Sequence, residues 1–294
     1  VEIVKSNLKV IGITGAMPDG TGLDYLQKEC PKNYFDVGIA EEHGITFAAG
    51  MATQGIVPVV AIYSTFLQRG FDQIIHDIAL QKLHVVFVMD RAGLVGADGP
   101  THHGVFDLAY LRMIPGMVIM APKDEAELRD MLYTCVEHKD GPIALRYPRG
   151  NALGVELKDG FRKIEIGKAE KLIDGEDVAL LALGSMVDYS LKASIKLKEQ
   201  GISCEVVNMR FAKPLDTEML DIVAGKFQKI VTLEENNLPG GFGSAIAEYF
   251  ISKNFKNDLK FIGLPDGFVD HGTQEELHHI LGIDPDGIAD TVKQ

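Results

Sequence analysis

Val57-Pro-Val-Val-Ala-Ile-Tyr63 is apolar at nearly every position and runs directly into Ser-Thr-Phe-Leu-Gln-Arg69. A strand with one wet face alternates apolar and polar residues. An unbroken apolar run instead marks a strand covered on both faces, as in a parallel sheet between layers of helices. The same texture recurs in Val10–Ile13, Val85–Met89, Val118–Met120 and Ile143–Tyr147. Between these runs, Ile45–Gln54, Phe71–Gln81 and Glu125–Glu137 carry apolar residues at helical spacing. Strand and helix in alternation predict an α/β fold with doubly wound sheets.

From Gly150 to Lys168 the pattern loosens, and Asn151–Phe161 reads as a linker. A second series follows in Val178–Leu183, Ser190–Glu199, Cys204–Asn208, Thr217–Ala224, Ile230–Leu233, Ser244–Asn254 and Leu259–Gly263. Two domains are therefore expected, over residues 1–155 and 156–294, in keeping with about 150 residues per domain.

The 294 residues hold 29 Lys and Arg against 42 Asp and Glu, a net charge of -13. That sign repels phosphodiester backbones and anionic bilayers, so neither nucleic acid nor membrane is an expected partner. Apolar runs such as Val178–Leu183 are too short to span a bilayer. Three widely spaced cysteines, Cys30, Cys135 and Cys204, form neither a disulfide framework nor a zinc motif, which points to a reducing cytoplasmic setting.

Three loops after strands of the first domain collect the chemistry, at the carboxyl ends where open α/β sheets bind ligands. Gly93-Leu-Val-Gly-Ala-Asp-Gly-Pro-Thr-His-His-Gly104 has four Gly and one Pro in twelve positions and offers Asp98, Thr101, His102 and His103. A long surface loop of no function is the competing reading. Tyr63, Phe66 and Arg69 present a phenol, an aromatic face and a guanidinium, suited to a heterocycle and an anion. Core packing of Phe66 and a surface ion pair for Arg69 are the plainer alternative. Arg91, Arg146 and Arg149 lie at or just past strand ends, where guanidinium clusters recognise phosphate by forked hydrogen bonds. Structural ion pairing competes with that reading. Gly240-Gly-Phe-Gly-Ser244 lacks the order of a dinucleotide fingerprint and reads as a tight turn into a helix. His278 and His279, on a short Glu-rich helix without a third ligand, read as a solvated face.

Asp36-Val-Gly-Ile-Ala-Glu-Glu-His43 resembles the pyrimidine-binding domain of the transketolase-like thiamine diphosphate enzymes. Within them, the segments 61–69, 90–102 and 145–151 are similar to the 1-deoxy-D-xylulose-5-phosphate synthases. The likeness continues through Gly240–Ser244 and Gly263-Leu-Pro-Asp-Gly267, so it covers nearly the whole chain. It implies a pyrimidine-binding thiamin fold followed by a transketolase C-terminal domain. It also implies the activity: joining pyruvate, with loss of CO₂, to D-glyceraldehyde 3-phosphate, the first step of non-mevalonate isoprenoid synthesis. The product also feeds thiamine biosynthesis.

Residue by residue, Glu41 matches the glutamate that hydrogen-bonds N1′ of the cofactor's aminopyrimidine. That bond favours the tautomer able to remove the proton at thiazolium C2. Such a carboxyl is expected to be buried, although Glu41-Glu42 would otherwise read as a charged helix start. Phe66 matches the aromatic that stacks on the pyrimidine, and Arg69 a position in the substrate pocket. Tyr63, Arg91 and Arg149 match positions that hold the acceptor's phosphate, and Asp98 a contact to its hydroxyl. His102 matches a residue aiding proton transfer, apt for a side chain that titrates near neutrality. His103 is left as a loop residue, and His43 is expected in the core or behind the residues that touch ligand. Glu42 stands where relatives often carry Gln.

Relatives hold the diphosphate and Mg²⁺ through a Gly-Asp-Gly…Asn motif in another domain. Here Asp-Gly pairs begin at Asp19, Asp98, Asp140, Asp159, Asp174, Asp266 and Asp286, and none follows a Gly. With Val1 in place of Met, this predicts the C-terminal portion of a longer enzyme that acts with its N-terminal domain, as a homodimer by the resemblance. A fragment alone would be inactive. A C-terminal subunit of a split transketolase and a non-catalytic assembly module are the alternatives.

Overall fold

The computed structural model describes residues 1–294. Twelve strands appear in chain order: β1 Val10–Thr14, β2 Tyr34–Asp36, β3 Val57–Tyr63, β4 Val86–Asp90, β5 Val118–Met120, β6 Ile143–Arg146, β7 Glu170–Ile173, β8 Val178–Ala182, β9 Cys204–Asn208, β10 Phe211–Lys213, β11 Lys229–Asn237 and β12 Asp258–Leu264. All five unbroken apolar runs of the first half form strands, within a residue of the positions read from sequence. Burial explains why: Ile62, Val86, Phe87, Ile119 and Leu145 are wholly enclosed between helix layers.

The first sheet runs β10-β5-β6-β4-β3-β1-β2, parallel except where β10 meets β5. The second runs β12-β11-β8-β9-β7, parallel except at β7. Both are thus doubly wound α/β sheets with one antiparallel edge. β10 was not anticipated: three residues carry no periodicity, and its partner lies some ninety positions earlier in the chain. It stitches a segment of the second half onto the first sheet. One apolar cluster spans both halves, joining Leu108, Leu111 and Ile119 to Leu181, Phe242 and Ile246. The helix expected over Phe71–Gln81 is α-helical only to Gln73 and continues as a π-turn over Ile74–Ala79, with Ile74 and Ile78 buried.

Each sheet reverses its winding beside its first central strand. β2 and β3 flank β1 on opposite sides, and the helix Glu41–Ala52 joins them. β9 and β11 likewise flank β8. A crevice opens at the carboxyl ends of strands at such switch points. In the first sheet Glu41 begins the crossing helix, and in the second Ser185 and Glu235 follow β8 and end β11. No helix of the structure is long and apolar enough to cross a membrane.

Candidate active site

Glu41 is 2% exposed at the first position of its helix. Its only side-chain hydrogen bond is from Arg69 Nη1 to Oε1, at 2.5 Å. The second carboxylate oxygen has no protein partner. Arg69 also lies over the Phe66 ring, 4.9 Å from its centroid. Phe66 is half-buried on the short helix Ser64–Leu67, stacked near-parallel with Tyr63 at 5.9 Å and edge-on to His102 at 5.4 Å. Tyr63, Arg69 and His102 thus meet around the Phe66 ring, and Glu41 joins them through Arg69. Arg69, expected in the substrate pocket, is paired with the buried Glu41.

Arg91 follows β4 in the left-handed region, with φ of 60°. A side chain adopts this conformation only where its surroundings compensate. Here the turn lays the guanidinium over Tyr63, 3.8 Å from the ring centroid, and next to Asp90 Oδ1 at 3.3 Å. Burial holds the Asp90 carboxyl above its ordinary range despite Arg91, and burial likewise raises the Tyr63 phenol. Arg149 donates to Asp98 Oδ2 at 2.7 Å and to Val95 O at 3.1 Å, with both charged side chains partly open to solvent. Arg91 and Arg149 share the wall of a cleft of about 600 Å³ between the two sheets. Glu41 and Phe66 do not line that cleft; Tyr63, beneath Arg91, lies between the two groups.

Arg146 separates from its two neighbours. It is 4% exposed and donates to Asp107 Oδ2 at 2.9 Å and to the carbonyls of Gly104 and Glu235. Structural pairing is therefore its role.

The glycine loop closes on itself, Gly93 N–H donating to Gly104 O at 2.7 Å and Gly104 N–H to Gly93 O at 2.8 Å. Gly104 needs its missing side chain, because a Cβ there would collide with Arg91 O and Ser64. His102 reaches the mouth of the site, with Nδ1 2.9 Å from the Thr101 hydroxyl. His103 is more than a loop residue. It is buried, its Nδ1 accepts from Val95 N–H at 3.1 Å, and Nε2 faces Asp270 O at 3.3 Å. That pattern fixes a neutral ring, and burial lowers its affinity for a second proton.

Two further expectations are corrected. His43 is not in the core but exposed, stacked on Phe47 at 6.0 Å. His278 is not on a solvated face but 6% exposed, with Nε2 2.8 Å from Glu235 Oε1 and Nδ1 2.8 Å from the Tyr189 hydroxyl. His279 does face solvent, beside Asp284. Glu235 was missed altogether. It is a buried carboxylate in the polar run Glu234–Asn237 that ends β11 directly after the apolar Ile230–Leu233, and acids at the carboxyl end of such a strand were the available signal. Gly240–Ser244 is a turn into the helix Phe242–Ser252, as read. The place a phosphate would take is filled by Glu234, whose carboxylate accepts from Phe242 N–H and Gly243 N–H, both at 2.7 Å.

An acid and an aromatic at one switch point, with guanidiniums beside an inter-sheet cleft, define an α/β ligand-binding pair of domains. Residues 1–153 match the pyrimidine-binding domain of transketolase, and residues 167–288 match its C-terminal domain. The chain belongs to the transketolase family. It is 57% identical over 291 residues to the 1-deoxy-D-xylulose-5-phosphate synthase of Synechocystis sp., and 54% identical over 293 residues to that of Acaryochloris marina. Each match covers 99% of this chain and 46% of the relative, so the chain spans about half the length of these relatives. Among solved structures, a split-gene transketolase described as an inactive β4 tetramer superposes with a TM-score of 0.85 at 28% identity, covering 99% of this chain and 93% of that one. A Pichia stipitis transketolase in complex with sedoheptulose 7-phosphate shares the fold at 18% identity and a TM-score of 0.78, over 99% of this chain and 43% of that one.

Proposed function

We propose that this chain forms the pyrimidine-binding and C-terminal domains, over residues 1–155 and 156–294, of a thiamine diphosphate-dependent 1-deoxy-D-xylulose-5-phosphate synthase. The observation that carries this reading is identity of 54–57% to such synthases across 99% of the chain, against 28% to the split-gene transketolase. The site fits the cofactor's aminopyrimidine. Glu41 has one carboxylate oxygen engaged and one without a partner, and Phe66 offers a half-buried ring beside it.

When bound, thiamine diphosphate supplies the nucleophilic carbon through which pyruvate loses CO₂ and is joined to the aldehyde of D-glyceraldehyde 3-phosphate. Glu41 holds a proton at the pyrimidine N1′, in a site where burial strengthens that bond. Phe66 packs on the pyrimidine, and Arg69 keeps the carboxylate compensated and takes part in the substrate pocket. His102 moves a proton near the reacting carbonyl. Arg91, Arg149 and Tyr63 hold the acceptor's phosphate, and Asp98 meets its hydroxyl. Arg91 rests on Asp90 and Arg149 on Asp98, so a phosphate would compete with these carboxylates for the forked guanidinium donors.

No group of three or more His, Cys, Asp or Glu is arranged here to hold a metal ion. We assign the Mg²⁺ and diphosphate ligands to an N-terminal domain, and a cytoplasmic homodimer to the complete enzyme. The test is to express the chain joined to that domain and supply pyruvate and D-glyceraldehyde 3-phosphate. Release of CO₂ with formation of 1-deoxy-D-xylulose 5-phosphate is expected.

A second reading, the C-terminal subunit of a split transketolase, is favoured by the near-complete overlap with a chain of that kind. Two-carbon transfer between sugar phosphates without pyruvate would establish it instead. Failure of both reactions in a folded assembly would leave the non-catalytic module.

A further inference from the structure

The crevice at the switch point of the second sheet is where a doubly wound fold would place a ligand of its own. A loop of the first domain takes one wall of it, and the rest opens into the inter-sheet cleft lined by Ser185, Glu235, Gln274 and His278. Leu94 N–H donates to Glu235 Oε1 at 2.9 Å, and Leu94 O accepts from Gln274 Nε2 at 2.6 Å. The same Gln274 amide reaches Arg149 O at 3.1 Å. Gly93, with φ of 81°, has no side chain because a Cβ would lie 2.5 Å from the Glu235 carboxyl carbon. Glu235 is itself over-determined: His278 Nε2 sits on Oε1 and Ser185 Oγ donates to Oε2, each at 2.8 Å. His103 adds a further tie, to Asp270 O.

These bonds grip two of the segments that carry acceptor-side residues: the loop bearing Asp98, and the turn bearing Arg149. None of these bonds is made by Glu41 or Phe66; the loop meets the Phe66 ring only through His102, edge-on at 5.4 Å. A buried carboxylate is a poor way to gain stability, since apolar packing of equal volume does as well. It is a good way to set a position, because its donors fix it in direction as well as distance.

We propose that Glu235 and Gln274 are positioning residues, through which the second domain sets the loop Gly93–Gly104 and Arg149 for the phosphorylated acceptor while making no bond to Glu41. This rests on the carboligation reading above.

In the complete enzyme, Gln274→Ala is expected to raise KM for D-glyceraldehyde 3-phosphate by about 10-fold, as a misplaced binding group does. KM for pyruvate and the exchange rate of the cofactor's C2 proton stay within about twofold on the same argument. Glu235→Ala should act likewise and more strongly. Glu235→Gln, which keeps an oxygen for Leu94 N–H, should recover most of the loss. Amide hydrogen exchange at Leu94 and Val95 should quicken by about 10-fold in Gln274→Ala, reporting local opening without reference to activity.

If Glu235→Ala does not fold, Gln274→Ala decides alone. Unchanged exchange at Leu94, or KM values for both substrates moving together, overturns the proposal. Should the unmodified complete enzyme make no product from pyruvate, the carboligation reading falls and this assignment with it. Quickened exchange would in that case still separate an existing clasp from an absent one.

Discussion

The Arg69 guanidinium meets the Glu41 carboxylate at 2.5 Å, joining a side chain that is 47% exposed to one that is 3% exposed. An isolated carboxylate at that depth would be costly, so the pair is a condition for keeping an ionisable acid at the helix start. Solvent screens the outer partner, which limits what the contact contributes. A double-mutant cycle of Glu41→Ala and Arg69→Ala, followed by urea unfolding, should give a coupling of about 1 kcal/mol. Coupling near zero would show the two side chains to be independent. In the complete enzyme, Glu41→Ala should nearly abolish turnover while leaving the far-ultraviolet circular dichroism of the fold intact.

Arg146 and Arg149 stand three positions apart and should behave as opposites. Arg146 is enclosed with Asp107, so Arg146→Ala strands a buried charge and should cost about 3–5 kcal/mol of unfolding free energy. Arg149 pairs with Asp98 in the open, so Arg149→Ala should change stability by less than about 1 kcal/mol. Its effect should fall on KM for the phosphorylated acceptor, raised by about 10-fold or more and further than KM for pyruvate. An unchanged acceptor KM would remove Arg149 from the phosphate site.

Glu234 predicts a pH dependence. Burial lifts its carboxyl from the usual 4.5 to about 7, against the pull of the Phe242 and Gly243 N–H donors. Between those values the folded chain keeps a proton that the unfolded chain releases. Its contribution to stability is therefore full below about pH 4.5 and declines as pH rises towards 7, by about 3 kcal/mol at most. Glu234→Gln cannot titrate, so unfolding free energies measured at pH 5 and pH 8 should fall less in the variant than in the unsubstituted chain. Equal declines would refute the assignment.

Much of the fold was legible because burial on both faces leaves a local mark. β3 and β4 are apolar along nearly their whole length, the mark of strands covered by helices on both faces. β10 escaped because three residues next to an antiparallel partner ninety positions away leave no such mark. The site divided in the same way. Glu41, Tyr63, Phe66 and His102 lie on segments read from their motif, and the structure brings Tyr63 and His102 to the Phe66 ring and Glu41 to Arg69 beside it. His278 was misread because what buries it, Glu235 and Tyr189, is distant in sequence.

The sequence by itself determined the elements, their alternation and the loops at the carboxyl ends of strands, since each depends on residues within one or two turns of chain. Tertiary structure alone decided the partners: Arg69 with Glu41, Arg146 with Asp107, Glu235 with Leu94. Charge compensation is settled by which groups meet once two sheets have docked. Three arginines at strand ends look alike until that docking buries one and leaves the others at the cleft.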